Sequence, residues 1–374
     1  MDIQYLLALQ GARESLPGFI EQFFLWFSFV ADGPALVALA LIVYWCVDKR
    51  AGQFACACFA AGNFVTQLAK NLVCVYRPWI RSEAVVPTAD AIEGAGGYSF
   101  PSGHTTGAGT VLGSFAWLAR KRHVWITVVC VVAVLIIAFS RNFLGVHTPQ
   151  DVLVGLLIAV CMIALTQLFF RWLDRYDALM PGHSKDVMVL VLVFLVCIAS
   201  LVIVTLKPYP MDYVDGVLLV DPESMQKGSY EAAGAFMGMA LGWFLERRFV
   251  GFSTDGLELR ERVVRGAVGA VIAAAVYVLC DVAFKAVLPY LWAKYLEMLV
   301  LCVVALWAVP LLFGWIGTRF GGGAREAASV GRRSAGDGVR PSAHDGAAAE
   351  AGRGRRPSVR SGRHSQGFRN EDGE

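Results

Sequence analysis

The chain has 374 residues, 56% of them hydrophobic and 17% charged, with a mean hydropathy of +0.55 and a formal net charge of +3. So much apolar surface beside so few charges excludes an ordinary soluble domain and points to an all-α, polytopic membrane protein. Nucleic-acid binding finds no support in this balance. The nine cysteines sit in or beside apolar runs without CxxC or Cys/His spacing, so they read as small hydrophobes and not as disulfides or zinc ligands.

In chain order, the N-terminal stretch lacks a basic leader, and its apolar patch Tyr5 to Leu9 is too short for a signal-peptide core. An interfacial amphipathic helix is expected there. A spanning helix needs about 20 mostly apolar residues, and nine candidates follow: 24–47, 52–76, 103–119, 123–140, 150–171, 187–206, 230–246, 266–288 and 295–317. The first is interrupted by Ala31-Asp32-Gly33-Pro34. The seventh carries Gly234, Gly238 and Gly242 on one face, a spacing that lets helices approach closely. Gly107, Gly109 and Gly113 suggest the same for the third.

Basic residues mark alternate connections: Lys49 and Arg50, Arg120 to Arg122, Arg171 with Arg175 and Lys185, and Arg247 and Arg248 with the 260–265 region. By the positive-inside rule these are cytoplasmic, which leaves 77–102, 141–149, 207–229 and 289–294 on the outer side. Nine spans then return the C-terminus to the cytoplasm. Residues 1–317 form the expected transmembrane domain, with a motif-bearing core at 52–171. Residues 318–374, rich in Gly, Ala, Ser and Arg, are expected to be a disordered tail.

The chemistry gathers on the outer side. Lys70 and Arg77 lie seven residues apart, nearly two helical turns, which predicts both cations on one helical face. Either one alone could snorkel to lipid headgroups. In Pro101-Ser102-Gly103-His104, Ser102 is a natural N-cap and Gly103 permits a close turn, so the helix that follows opens with free N–H groups facing outward. His104 alone is equally a polar residue tolerated at an interface. In Ser140 to Asp151, Thr148 suits an N-cap, Pro149 the first helical position and Asp151 the third. Asp151 can therefore cap the helix, or, one turn beyond His147, accept a proton-bearing ring nitrogen and leave the other nitrogen to attack. Three cations, two histidines, a serine and an exposed helix N-terminus on one side fit a phosphoryl group in displacement, with no carboxylate cluster suited to Mg²⁺. The reading is phosphoryl transfer through a histidine nucleophile, with neither metal nor other cofactor.

These three segments resemble the signature K-x6-R-P, P-S-G-H and S-R-x5-H-x3-D of the type 2 phosphatidic acid phosphatase superfamily of membrane lipid phosphatases. Every fixed position is present and the parts come in the family's order. The resemblance implies that His147 attacks phosphorus, that Asp151 orients it, and that His104 protonates the leaving oxygen and then activates water. Lys70, Arg77, Ser102, Gly103 and Arg141 would hold the phosphoryl oxygens. It implies a lipid phosphate or diphosphate substrate, an extracytoplasmic site and a plasma-membrane location. Nine spans look more like the sphingosine-phosphate phosphatase and glucose-6-phosphatase branches. Lipid-to-lipid phosphotransfer and a non-catalytic transporter or scramblase are the rivals, and oligomeric state is open. Asp32 in the broken first span, and Asp281 with Lys285, are expected to pair or to line a groove. The 207–228 loop is expected to be a lid.

Overall fold

In a computed structural model the chain is a helical bundle; the structure describes residues 1–179 and 184–319. The expected tail beyond residue 319 lies outside the described residues. Helix α1 (Asp2–Ser15) is followed by α2 (Gly18–Val30) and α3 (Gly33–Ile42), the latter ending in a π-turn over Val43–Val47. Pro34 and the N-cap Asp32, whose carboxylate accepts from Gly33 N at 3.0 Å, start α3 afresh. The two halves consequently meet at a 58° bend.

The central helix is α4 (Lys49–Val73), which packs against α7 (Gly103–Ala119), α9 (Pro149–Leu179) and α11 (Pro222–Phe249). Two short helices, α5 (Pro78–Arg81) and α6 (Ala89–Ile92), lie in the connection after α4. Helix α8 (Val124–Phe143) packs on α7, and α10 (Ser184–Leu206) packs on α11. A two-residue hairpin, Tyr213–Val214 with Val217–Leu218, interrupts the connection into α11; Asp215 and Gly216 turn it with positive φ. Helix α12 (Leu259–Val287) and α13 (Tyr290–Val303), continued by a π-turn into α14 (Val309–Arg319), close the fold.

All nine expected segments are helical, though not all nine meet the length and apolarity of a membrane span. Among the described residues five helices are long and apolar enough to cross a membrane, and the bent α2–α3 pair makes six. Helices α4, α7 and α11 fall short for a physical reason: α7 has only 17 residues, and α4 and α11 bury polar side chains such as Lys70, Asn71, Ser229 and Glu246 inside the bundle. The lipid-compatible helices instead turn apolar side chains outward, among them Val128, Val132 and Leu135 of α8 and Leu153, Leu157 and Val160 of α9.

The glycine face of α11 sits where its spacing predicts. A Cβ on Gly234 would lie 2.1 Å from the Tyr295 carbonyl oxygen, and one on Gly238 2.4 Å from that of Leu299, so backbone meets backbone between α11 and α13. Gly109 similarly faces Ala159 of α9. At the end of the bundle where α4 begins, ion pairs tie three of the basic connections together. Lys49 Nζ contacts Glu246 at 2.6 Å, Arg50 contacts Asp174 at 2.7 Å, and Arg247 contacts Asp177 at 3.1 Å. The motif residues lie towards the opposite end.

Candidate active site

Lys70, in the last turn of α4, is buried and donates to the Tyr98 carbonyl at 3.0 Å. Arg77 is not on that helix. The helix ends at Val73, Cys74 takes φ +54, and the chain turns away, so the expectation of two cations on one helical face is corrected. They share the site for a different reason. The guanidinium of Arg77 folds back into a ring of carbonyls, with Nε to Gly97 O at 3.1 Å, one terminal nitrogen to Gly96 O at 3.0 Å and the other to Val146 O at 3.0 Å.

That last nitrogen also meets His147 Nε2 at 2.9 Å. A guanidinium can only donate, so Nε2 must accept, and the imidazole proton belongs on Nδ1. Nδ1 faces Asp151 Oδ2 and Ser99 Oγ, each at 3.4 Å. The Asp151 oxygen is held more tightly by others: Ser99 donates its hydroxyl at 2.5 Å and Thr148 its backbone N–H at 2.8 Å. Asp151 therefore sits at two contacts. It caps α9 and also faces His147 with the same oxygen. Asn142 fixes the loop by donating to His147 O at 2.9 Å.

His147 and Asp151 are 1% and 2% exposed. His147 lies in the loop between α8 and α9, where burial first, and then Arg77, Arg141, Lys70 and His104, hold its pKa well below the ordinary 6.5. All four motif cations and histidines are thus within electrostatic reach of it.

Arg141, at the end of α8, is 1% exposed and donates to the Ser28 hydroxyl of α2, while its Nε and second terminal nitrogen have no protein partner. Among the described residues no carboxylate lies within ion-pair distance of Lys70, Arg77 or Arg141. Ser102 caps α7, its hydroxyl oxygen accepting from Thr105 N at 3.4 Å and from the Thr105 hydroxyl at 3.0 Å. The space beside Gly103 is open. His104 is partly exposed and its Nε2 lies 4.0 Å from Asp32 Oδ1.

Ser28, Ser99 and Asn142 were not singled out by sequence reasoning. Ser99 lies three residues before the Ser102 N-cap, and nothing in its spacing reveals a partner 52 residues away. The 207–228 loop proves to be a buttress. Tyr76, Tyr98, Tyr209, Val220 and Met225 pack together, Met225 presses under Gly97, and Tyr209 donates to Asn71 at 2.7 Å. The connection thereby braces the very carbonyls that hold Lys70 and Arg77. Asp281 and Lys285 form the expected pair at 2.8 Å, extended by Lys294, which contacts Asp281 at 2.7 Å and Glu297 at 2.8 Å.

A largely helical bundle with apolar outer faces, and with buried cations and a histidine–carboxylate pair at one end of its core helices, defines an integral membrane protein. Residues 52–176 match the PAP2 superfamily, and residues 230–321 match the PAP2 superfamily phosphatase, transmembrane extension; the chain belongs to that superfamily. It is 30% identical over 141 residues to the bacitracin transport permease protein BcrC of Bacillus licheniformis, covering 36% of this chain and 64% of that protein. It is 44% identical over 77 residues to the undecaprenyl-diphosphatase BcrC of Bacillus subtilis strain 168, covering 20% of this chain and 36% of the relative. The chain thus spans less than two thirds of either relative's length. No solved structure matches it.

Proposed function

We propose that the protein is a membrane phosphatase that hydrolyses a lipid phosphate monoester or lipid diphosphate through a phosphohistidine, without a metal ion. The observation that carries this reading is the trio Lys70, Arg77 and Arg141, buried, among the described residues, without a carboxylate partner beside a histidine whose Nε2 meets one of them, Arg77. Burying three such cations is costly unless an anion completes the set.

In the first step His147 Nε2 forms a bond to phosphorus. The bond from phosphorus to the leaving oxygen breaks, and His104 supplies the proton that oxygen needs. In the second, water attacks phosphorus, gives a proton to His104, and displaces His147. The three cations, the Ser102 hydroxyl and the Gly103 N–H stabilise the charge on the equatorial oxygens. Asp151, locked by Ser99 and Thr148, keeps the His147 proton on Nδ1 throughout.

The name of the Bacillus subtilis relative favours a polyprenyl diphosphate among the candidate substrates. Phosphate release from phosphatidic acid, phosphatidylglycerol phosphate, isoprenyl diphosphate and sphingosine phosphate, measured on purified protein in detergent, tests this. Release that disappears in His147→Ala supports the proposal; no turnover of any of the four counts against it. A second lipid alcohol added to the assay separates phosphotransfer, which would yield a phosphorylated acceptor.

Topologically, the reading places the site on the extracytoplasmic face of the plasma membrane, with α4, α7 and α11 crossing as interior helices to give nine spans and a cytoplasmic tail. Cysteine-accessibility labelling from each side decides it. The name of the Bacillus licheniformis relative favours a second reading, transport. Headgroup translocation in liposomes that survives loss of both histidines would support that alternative.

A further inference from the structure

We propose that Asp32, at the break between α2 and α3, is a positioning residue that keeps His104 protonated and aims it, so that the N-terminal helices complete a site whose signature lies downstream. The inference rests on the reading of His104 as proton donor. Asp32 lies outside residues 52–176, the segment matched to the superfamily.

His104 stands among cations. Lys70 comes from α4, Arg77 from the turn after it and Arg141 from α8. A proton donor in that company needs a negative charge beside it, because burial first, and then each of these cations, favours the neutral ring. The Asp151 carboxylate is already committed to Ser99, Thr148 and His147. Glu93 is exposed, next to Gly94, on which a Cβ would lie 3.8 Å from the His104 ring. Asp32 faces His104 directly, Oδ1 to Nε2 at 4.0 Å, an ion-pair distance with no direct hydrogen bond.

The bend puts it there. Ser28, one turn earlier on α2, accepts from Arg141, and Asp32 follows where the helix stops and its carboxylate leaves the helical path. A straight first span would direct the two side chains along one helix instead of spreading them over Arg141 and His104. The arrangement mirrors that of the nucleophile. Asp151 faces Nδ1 of His147, whose Nε2 meets Arg77, and Asp32 faces Nε2 of His104, so each ring has one carboxylate against one nitrogen.

Asp32→Asn is the decisive variant. Asn caps a helix as well as Asp, so the bond from Gly33 N is kept and only the charge is lost. For an alkyl phosphate substrate, the basic limb of kcat/KM is expected to move to lower pH by about one pH unit, and Asp32→Glu to restore part of it. An aryl phosphate with an acidic phenol as leaving group needs little protonation and is expected to be nearly insensitive. Glu93→Gln is expected to leave the limb in place. Independently of turnover, titration of ¹³C-labelled histidine by NMR, with the His104 signal assigned through His104→Gln, should show a lower His104 midpoint in Asp32→Asn. An unmoved midpoint overturns the proposal even if the enzyme hydrolyses lipid phosphates; a moved midpoint without any turnover keeps it while refuting the phosphatase reading.

Discussion

Two groups of buried charge in this bundle look alike in sequence and differ in kind. In the C-terminal extension, Lys294 of α13 is 6% exposed and its ammonium contacts Asp281 at 2.7 Å and Glu297 at 2.8 Å. In the motif-bearing core, Lys70, Arg77 and Arg141 are at least as buried or nearly so, yet they touch carbonyls, a hydroxyl and an imidazole nitrogen. A buried cation paired with carboxylates is structural, because removing it strands the partner. Buried cations set together without a carboxylate repel one another, and an incoming phosphoryl group relieves that cost. The difference separates a brace from a binding site.

The largest expected effect is at His147. His147→Ala should lower phosphate release by about 10³-fold or more, since the attacking atom itself is lost, while the melting temperature in detergent stays near that of the parent. Residual hydrolysis of a tenth or more would break the assignment.

Next comes a pair of variants that sets the two charge groups against each other. Arg141→Ala should reduce kcat/KM by about 10²–10³-fold with an unchanged or higher melting temperature, because it removes an uncompensated charge. Lys294→Ala should instead lower the thermal unfolding temperature, because the buried Glu297 loses its cation, while Asp281 keeps Lys285. Should Arg141→Ala unfold the protein and Lys294→Ala leave it stable, the distinction drawn above would collapse.

A smaller loss is expected for Ser99→Ala. Asp151 keeps its bond from Thr148 N but loses the one at 2.5 Å, so the imidazole is held less well and kcat should fall about tenfold with KM little changed. A KM effect alone would mean that Ser99 serves the binding loop and not the dyad.

The smallest effect is one of pH. Because His147 must be neutral to attack and its pKa is held well below 6.5, the acid limb of kcat/KM should lie below about pH 6.5. The same depression has a stability consequence with a definite sign. The folded state favours the neutral ring, so the His147 contribution is complete above the unfolded value near 6.5 and is lost as the pH falls below it towards the folded pKa. An acid limb at or above pH 6.5 would contradict the burial of His147.

Much of the site was legible in the sequence because its parts are local. The Ser102 N-cap depends on Thr105, and the capping of α9 depends on Thr148 and Asp151, all within three residues of their partners. The α11 glycines were equally readable, since a four-residue repeat of small side chains has one geometric meaning. The shared face of Lys70 and Arg77 failed because helical periodicity was extended past Val73, where the chain leaves the helix at Cys74. Length and apolarity single out only five or six of the nine expected spans among the described residues, because interior helices shielded by other helices can carry polar side chains.

By itself, then, the sequence determined an all-helical membrane bundle, its three motifs and their order, and the local capping that opens α7 and α9, all of which follow from periodicity and short-range hydrogen bonding. Tertiary structure alone decided that Arg77 reaches His147 from a loop and that Ser99 locks Asp151. It also decided that the 207–228 connection braces the carbonyls around the cations, and that a bent first span brings Ser28 and Asp32 to Arg141 and His104. These contacts join residues tens of positions apart, and their geometry depends on how helices cross and bend, which no spacing along the chain encodes.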